Sequence, residues 1–322
     1  MTKSKVTIGL ILIALIVSGG ALGYKIYYEK TKPVADITRN INVLLEKSKD
    51  WRKIVKNSPF TKDTYPKIDG STATIPMSME FARENFDMSE DEVRKFVNHN
   101  TTHEAYVNLI DGKADIIFVS EPSKDELNLA KEKGVELELA PVARDAFVFI
   151  VNKSNPVNNL KLSQIQEIYQ GKITNWKDAG GKDKGIVAYQ REKNSGSQTI
   201  MENKVMRGLG MMKPPSFKAD SGMGGLVDQV SEFKDADSSI GYTIYYYVTR
   251  LYKKENVKLL GINGIECSQK TIKDGSYPLS GNVYAVILKS KPKDSSARKL
   301  LSWILSDEGQ ACIKQAGYVG IK

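Results

Sequence analysis

Two histidines and two cysteines are all the imidazole and thiol chemistry this 322-residue chain has, and that scarcity excludes much. His99 and His103 stand four apart, a spacing that puts both rings on one helix face. Asn100 follows the first where a zinc-protease helix needs Glu, and no third histidine exists to complete a metal site. A serine hydrolase needs a base near its nucleophile. The only histidines lie around position 100, and the G-x-S-x-G elbow is missing. No repeat and no low-complexity tract is present. A basic surface on the folded part is also lacking. The net charge is +9, but residues 1–61 hold 11 Lys/Arg against 4 Asp/Glu, which leaves +2 for residues 62–322. A nucleic-acid binder carries its excess on the folded domain, so nucleic acid is not an expected partner.

The basic excess accompanies a membrane signal. After "MTKSK", Val6 to Tyr24 is uncharged over nineteen residues, close to the length that crosses a bilayer. A cleaved signal peptide has a shorter apolar run and a defined small-residue site. The segment has no cysteine for lipid attachment. The expectation is an uncleaved N-terminal transmembrane anchor over residues 1–30, with Lys3 and Lys5 inside and the bulk outside; cleavage stays open. Residues 31–61 mix charges with loosely helical apolar positions and read as a stalk. In an oxidising compartment Cys267 and Cys312 either pair or stay as buried free thiols.

From about Tyr65 short apolar runs alternate with helical stretches. "ADIIFVS" (114–120), "VELELA" (135–140), "AFVFIVN" (146–152), "GIVAYQ" (185–190), "SIGYTIYYYV" (239–248), "VKLLGI" (257–262) and "NVYAVIL" (282–288) read as strands. "PMSMEFARENF", "LSQIQEIYQG" and "SSARKLLSWILSDEGQACIKQAG" read as helices. The alternation indicates an α/β fold, in which ligands gather where strands end and helices begin.

Three predicted helix starts are rich in Gly, Ser or Thr. "DGSTATIP" offers the Thr72 hydroxyl and free amides, although Ser or Thr there also serves as a plain cap. "NTTHE" combines a capping box at Thr101 and Glu104 with Thr102. The third, "REKNSGSQT", places Arg191 four residues before Ser195, Gly196 and Ser197. A guanidinium is a planar fork for an oxyanion, and a glycine lets backbone approach a ligand closely. Glu121 ends the strand "ADIIFVS". Such a carboxylate repels an anion unless the anion brings a proton. A glycine cluster, "SGMGG", reads as a turn. Together these pieces describe a site for a small, protonated, tetrahedral oxyanion.

"DGSTATIP", "GKADIIFVSEPS", "LSQIQEIYQGKITNWKDAGG", "REKNSGSQT", "SSIGYTIYYYV" and "INGIECSQKTIKDGSYPLS" occur in one order. That order resembles the phosphate-binding protein of the bacterial phosphate ABC importer, within the periplasmic-binding-protein type 2 superfamily, over residues 65–322. The resemblance implies a two-lobed α/β fold with a hinge. Lobe I would take residues 62–145 plus 260–322 and lobe II residues 146–259. It also implies a phosphate site at Thr72, Ala73, Thr102, Glu121, Arg191, Ser195, Gly196 and Ser197. The implied role is capture of inorganic phosphate outside the cell membrane and delivery to permease subunits by a monomer, without cofactor or catalysis. A surface sensor or adhesin on the same fold, and a molybdate or tungstate binder, are the alternatives; a carboxylate acceptor disfavours the unprotonated oxyanions. Two positions depart from the family pattern: Glu121 stands for an Asp, and Lys193 for an acid that steadies the arginine.

Overall fold

Alternating and continuous apolar runs condense here into one eight-stranded sheet and a separate two-stranded one, with helices packed between and around the strands. The computed structural model describes residues 53–322 except 56, 87–91, 94–96, 216–221 and 233–235. The anchor at 1–30 and most of the stalk at 31–61 lie outside the described residues. Among the described residues no helix is long and apolar enough to cross a membrane.

The strands are β1 (Ile68–Gly70), β2 (Ile116–Val119), β3 (Leu137–Asn152), β4 (Asn159–Leu160), β5 (Val187–Ala188), β6 (Ser239–Ile244), β7 (Val257–Leu259), β8 (Gly261–Ile262), β9 (Ser280–Leu288) and β10 (Val319–Gly320). The helices are α1 (Ile75–Asn85), α2 (Thr102–Ile110), α3 (Lys124–Glu132), α4 (Leu162–Tyr169), α5 (Gly196–Ile200), α6 (Met223–Glu232), α7 (Gln269–Lys273), α8 (Ser296–Ile304) and α9 (Asp307–Gln315). The main sheet runs β1-β2-β9-β3-β6-β5, with β7 and β10 also on β3. The β1/β2 and β5/β6 pairs are parallel, and the pairs to β3 are antiparallel.

β3 organises the molecule. The sequence reads "VELELA" and "AFVFIVN" as two strands; they form one strand of sixteen residues. Leu137 to Ala146 pair with β9, and Phe147 to Val151 pair with β6. The partner therefore changes at Ala146/Phe147, and a single strand passes through both halves of the sheet. A register shift falls between Pro141 and Ala143, where a proline has no N–H for the ladder.

Aromatic side chains fill the space on both sides of that change. Phe81 packs edge-on to Phe118 and Trp303 on one side. Phe147, Phe149, Tyr169 and Tyr242 form a ring cluster on the other. The helix expected to run unbroken through the C-terminal segment is two helices. Ser306 stops the first and caps α9 through Gly309 N, 3.3 Å from its Oγ. Gly309 is needed there, because a Cβ would stand 2.3 Å from the Trp303 carbonyl oxygen.

The cysteines do not pair, which settles the open alternative in favour of free thiols. Burial pushes both thiols up, with Glu84 and Glu80 adding to the effect at Cys312 and Asp145 at Cys267. These surroundings differ: Cys312 sits on α9 and Cys267 lies ahead of α7. A bridge requires the two Cβ atoms to meet.

Candidate functional site

Loop closure at the end of β1 begins with a glycine that admits no side chain. A Cβ on Gly70 would stand 2.7 Å from the Phe118 carbonyl oxygen. That carbonyl accepts from Ser71 N at 2.9 Å and from Thr74 Oγ1 at 2.8 Å. The chain then makes one tight turn, Thr72–Thr74, and enters α1 with Pro76 in its first turn. Tyr318 donates its hydroxyl to the Ala73 carbonyl at 2.6 Å and ties the C-terminal segment to this loop.

Asp69, one residue earlier, is buried and works as a clamp. Its Oδ1 accepts from Gly70 N and Asn100 N, and its Oδ2 accepts from Asn100 Nδ2 and Asn108 Nδ2, all within 3.0 Å. The second loop is thereby held against the first. Thr101 caps α2, its Oγ1 accepting from Glu104 N at 3.3 Å, and Thr102 is the buried first residue of the helix. Tyr106 on α2 donates to the Ser120 carbonyl at 2.8 Å and fixes the end of β2.

The third loop comes from the other half of the sheet. Asn194 takes φ +65°, a left-handed turn that Asn tolerates. Ser195 caps α5, its Oγ accepting from Gln198 N at 3.2 Å. Gly196 then meets the first half directly: a Cβ there would lie 2.6 Å from Thr102 Oγ1 and 2.7 Å from Ser120 Oγ. Asn194 Nδ2 and Lys193 Nζ both donate to Asp125 Oδ2, at 2.9 and 2.6 Å.

These starts surround one cleft. Its empty volume, counted to the open mouth, is about 680 Å³, but a water centre reaches only about 60 Å³ of it, room for a few waters or one small anion. Of the residues expected at the site, Ala73, Thr102, Glu121, Gly196 and Ser197 line this cleft. Thr72, Arg191 and Ser195 are not among its lining residues. Thr72 is half-buried, and its neighbours Ser71 and Thr74 line the cleft in its place. The Ser195 hydroxyl oxygen accepts in the cap, which leaves its hydrogen free to donate.

Arg191 donates from Nε and Nη2 to the two carboxylate oxygens of Glu192, at 3.1 and 2.6 Å. The Arg191 amide donates to the Tyr242 hydroxyl at 2.9 Å, and that hydroxyl donates to Gln198 Oε1. The acid that steadies the arginine is thus the adjacent Glu192. Burial raises the Glu192 carboxyl, and the Arg191 bond and charge outweigh it, so that its pKa is lowered. Lys193, the departure from the family pattern, reaches Asp125 instead.

Among the polar lining residues that escaped sequence reasoning are Ser120, Asp145 and Lys204. Lys204 follows α5 by four residues, and its Nζ stands 2.8 Å from Glu121 Oε1. The Tyr284 hydroxyl donates to the same oxygen at 3.2 Å. Asp145 lies on β3 just before the change of partner. Its Oδ1 accepts from Ala146 N at 2.8 Å and from Tyr246 N at 3.1 Å. Burial pushes the Asp145 carboxyl up to about 7 against those two bonds. The one available signal was a carboxylate inside the apolar run "ARDAFVFIV". Ser120 was hidden beside Glu121.

Buried polar atoms normally find a partner. Ser120 Oγ, Ser197 Oγ and Asp145 Oδ2 are buried with no hydrogen bond, and all three residues line this cleft. They lie beside the first turns of three helices, and Asp145 also borders a second, smaller cavity with Tyr246 and Arg250.

The histidines face elsewhere. His99 is half-buried, its Nε2 3.2 Å from Ser78 Oγ, and desolvation of the ring lowers its pKa to about 3. His103 Nδ1 lies 3.0 Å from Glu126 Oε1. Neither ring lines the cleft, so no imidazole faces Ser197 there.

A family model described as a PBP superfamily domain matches residues 57–308. A phosphate-binding protein PstS of Staphylococcus saprophyticus is 30% identical over 260 residues, 79% of this chain and 80% of that protein. One from Staphylococcus aureus (strain USA300) is 28% identical over 260 residues, 79% of this chain and 77% of that protein. The fold is similar to that of a putative phosphate ABC transporter substrate-binding protein from Clostridium perfringens, solved with bound phosphate. The two are 27% identical with a TM-score of 0.60, over 79% of this chain and 98% of that one.

Proposed function

This chain belongs to the PBP superfamily domain family, and from that premise we infer that it captures inorganic phosphate and delivers it to an ABC importer. The observation that carries the reading is the convergence of three helix starts with the partnerless Ser120 and Ser197 hydroxyls in one small cleft. Helix N-termini attract anions through free N–H groups and the macrodipole. The donors would be the amides and hydroxyls around Ala73, Thr102, Gly196 and Ser197, the Ser120 hydroxyl, and the Lys204 ammonium, in charge-assisted bonds. Thr72 and Ser195 would act through the turns they form.

In this reading Arg191 positions the loop. Its paired guanidinium and its amide on Tyr242 set where α5 begins. Glu121 contributes through its pairing with Lys204, which places a neutralised pair, and not a bare carboxylate, beside the anion. The two lobes would be residues 62–145 with 260–322, and 146–259. β8 still pairs with β4, so the return to the first lobe would follow Ile262. A single N-terminal anchor would hold the monomer on the outer face of the cell membrane, close to the permease subunits, and raise its effective concentration there. Capture without covalent chemistry fits a cleft that no imidazole lines.

Isothermal titration with phosphate, arsenate, sulfate and molybdate tests the reading. Phosphate and arsenate are expected to bind at least a hundredfold tighter than the other two. Equal affinity for all four, or none for phosphate, would overturn it.

A further inference from the structure

We propose that Asp145, and not Glu121, is the carboxyl group that accepts the hydrogen of the bound anion and so decides which tetrahedral oxyanion this cleft retains. The inference rests on the reading of the cleft as a phosphate site and concerns the residue that makes it selective.

The two carboxylates of the cleft each have one oxygen engaged and differ in how far water reaches the other. Glu121 is about one-third exposed, and its Oε1 already takes the Lys204 ammonium and the Tyr284 hydroxyl. An acceptor so engaged, beside water, gains little from a ligand hydrogen and loses little without one. Asp145 is 8% exposed. Its Oδ1 is held by two backbone amides, which fixes the carboxyl plane, and its Oδ2 has no partner. A buried oxygen of this kind is costly until something donates to it.

The groups packed around Asp145 do not supply that donor. Tyr246 gives its hydroxyl to the Ala316 carbonyl at 2.6 Å, and Tyr318 gives its hydroxyl to Ala73. Arg144 donates Nη1 to the Lys273 carbonyl at 2.6 Å. Tyr245, Arg250 and Cys267 complete the surroundings, and none of them makes a hydrogen bond to Oδ2.

The chemistry follows. A phosphate that keeps a hydrogen donates it to Oδ2 while the helix amides, Ser120 and Ser197 donate to its other oxygens. A carboxyl poised near neutrality by burial shares that one proton with the phosphate. Sulfate brings no hydrogen. Asp145 must then be protonated, at a cost that grows as the pH rises above about 7, or face a bare oxyanion, so the discrimination strengthens toward alkaline pH. Discrimination of this kind is largest where the unmatched group is buried, which favours Asp145 over the partly exposed Glu121. The position also suits the role. Asp145 lies on β3 beside the residues where that strand changes partner, so it contacts a ligand held between both halves of the sheet.

The test is titration of the full-length protein and two single variants with phosphate and with sulfate. Asp145→Asn keeps an oxygen for the two amides and turns the inner atom into a donor. Its phosphate-over-sulfate preference is expected to fall at least tenfold, with sulfate binding tightened, while Glu121→Gln, which frees the Lys204 ammonium, shifts the affinity for both anions together and leaves their ratio within about threefold. An Asp145→Asn protein with unchanged preference, or a Glu121→Gln protein that alone loses it, overturns the inference. Absence of phosphate binding in the unmodified protein would instead overturn the reading of the site. Should Asp145→Asn fail to fold, Asp145→Ser removes the carboxyl and leaves an acceptor for the amides, and retention of full preference by that variant overturns the inference equally.

Discussion

Lys204 and Arg191 show how far residue identity can mislead about residue role. Both are cations of the third loop region, and chemical type favours the arginine as the anion's partner, because its fork matches two oxygens. In the structure that fork is closed on Glu192, and the ammonium of Lys204 lines the cleft. Lys204→Ala is therefore expected to weaken phosphate binding at least tenfold. Arg191→Ala should cost less affinity and more order around α5. Calorimetry for the first effect and amide hydrogen exchange over residues 190–200 for the second separate the two, and an Arg191→Ala protein with the larger affinity loss would restore the guanidinium to the anion. Gly196, Glu121 and Thr102, which line the cleft, were legible as candidates because small size, charge and hydroxyl chemistry suit an anion wherever the chain folds. Asp145 was not, because a lone acid in a strand looks the same in sequence whether it faces solvent, core or cleft.

Helices and strands are positioned by a few buried side chains that bridge between them. Asp69 holds two successive loops through four hydrogen bonds, and without it the start of α2 has no fixed relation to the start of α1. Asp69→Ala leaves Asn100 and Asn108 without their acceptor. A loss of about 1–2 kcal/mol in denaturant melts is expected from the lost bonds of these partly exposed donors, together with weaker phosphate binding through a displaced Thr102. Stability within 0.5 kcal/mol of the unmodified protein would show the clamp to be dispensable. Existence and type of the long elements were readable from periodicity, as for α1, α4, β2 and β9. Boundaries failed where tertiary contacts set them. β3 is one strand because β9 and β6 take up its two halves in succession. The C-terminal helix breaks at Ser306 because Gly309 must lie against Trp303.

At the scale of the whole molecule, burial of titratable groups makes stability depend on pH in two opposed ways. The folded pKa of Asp145 is raised to about 7 from 3.8, so the folded state binds the proton more tightly than the unfolded chain. Its contribution is full below about pH 4 and is lost as the pH rises toward 7. His99 is lowered to about 3 from 6.5, so its contribution is present above about pH 6.5 and is lost as the pH falls toward 3. Asp145→Asn removes the first of these. The stability of the variant relative to the unmodified protein should rise by something on the order of 4 kcal/mol between pH 4 and pH 8, measured by denaturant melts at each pH. A difference that does not move with pH would show that Asp145 titrates normally in the fold. The sequence alone determined the α/β class and the three helix starts, because hydrophobic period, capping chemistry and glycine placement act over a few neighbouring residues. Only the tertiary structure decided which cation lines the cleft, which acid is buried there and whether the thiols meet. Those outcomes depend on atoms brought together from residues 71 to 312, and local pattern carries no information about distance across a fold.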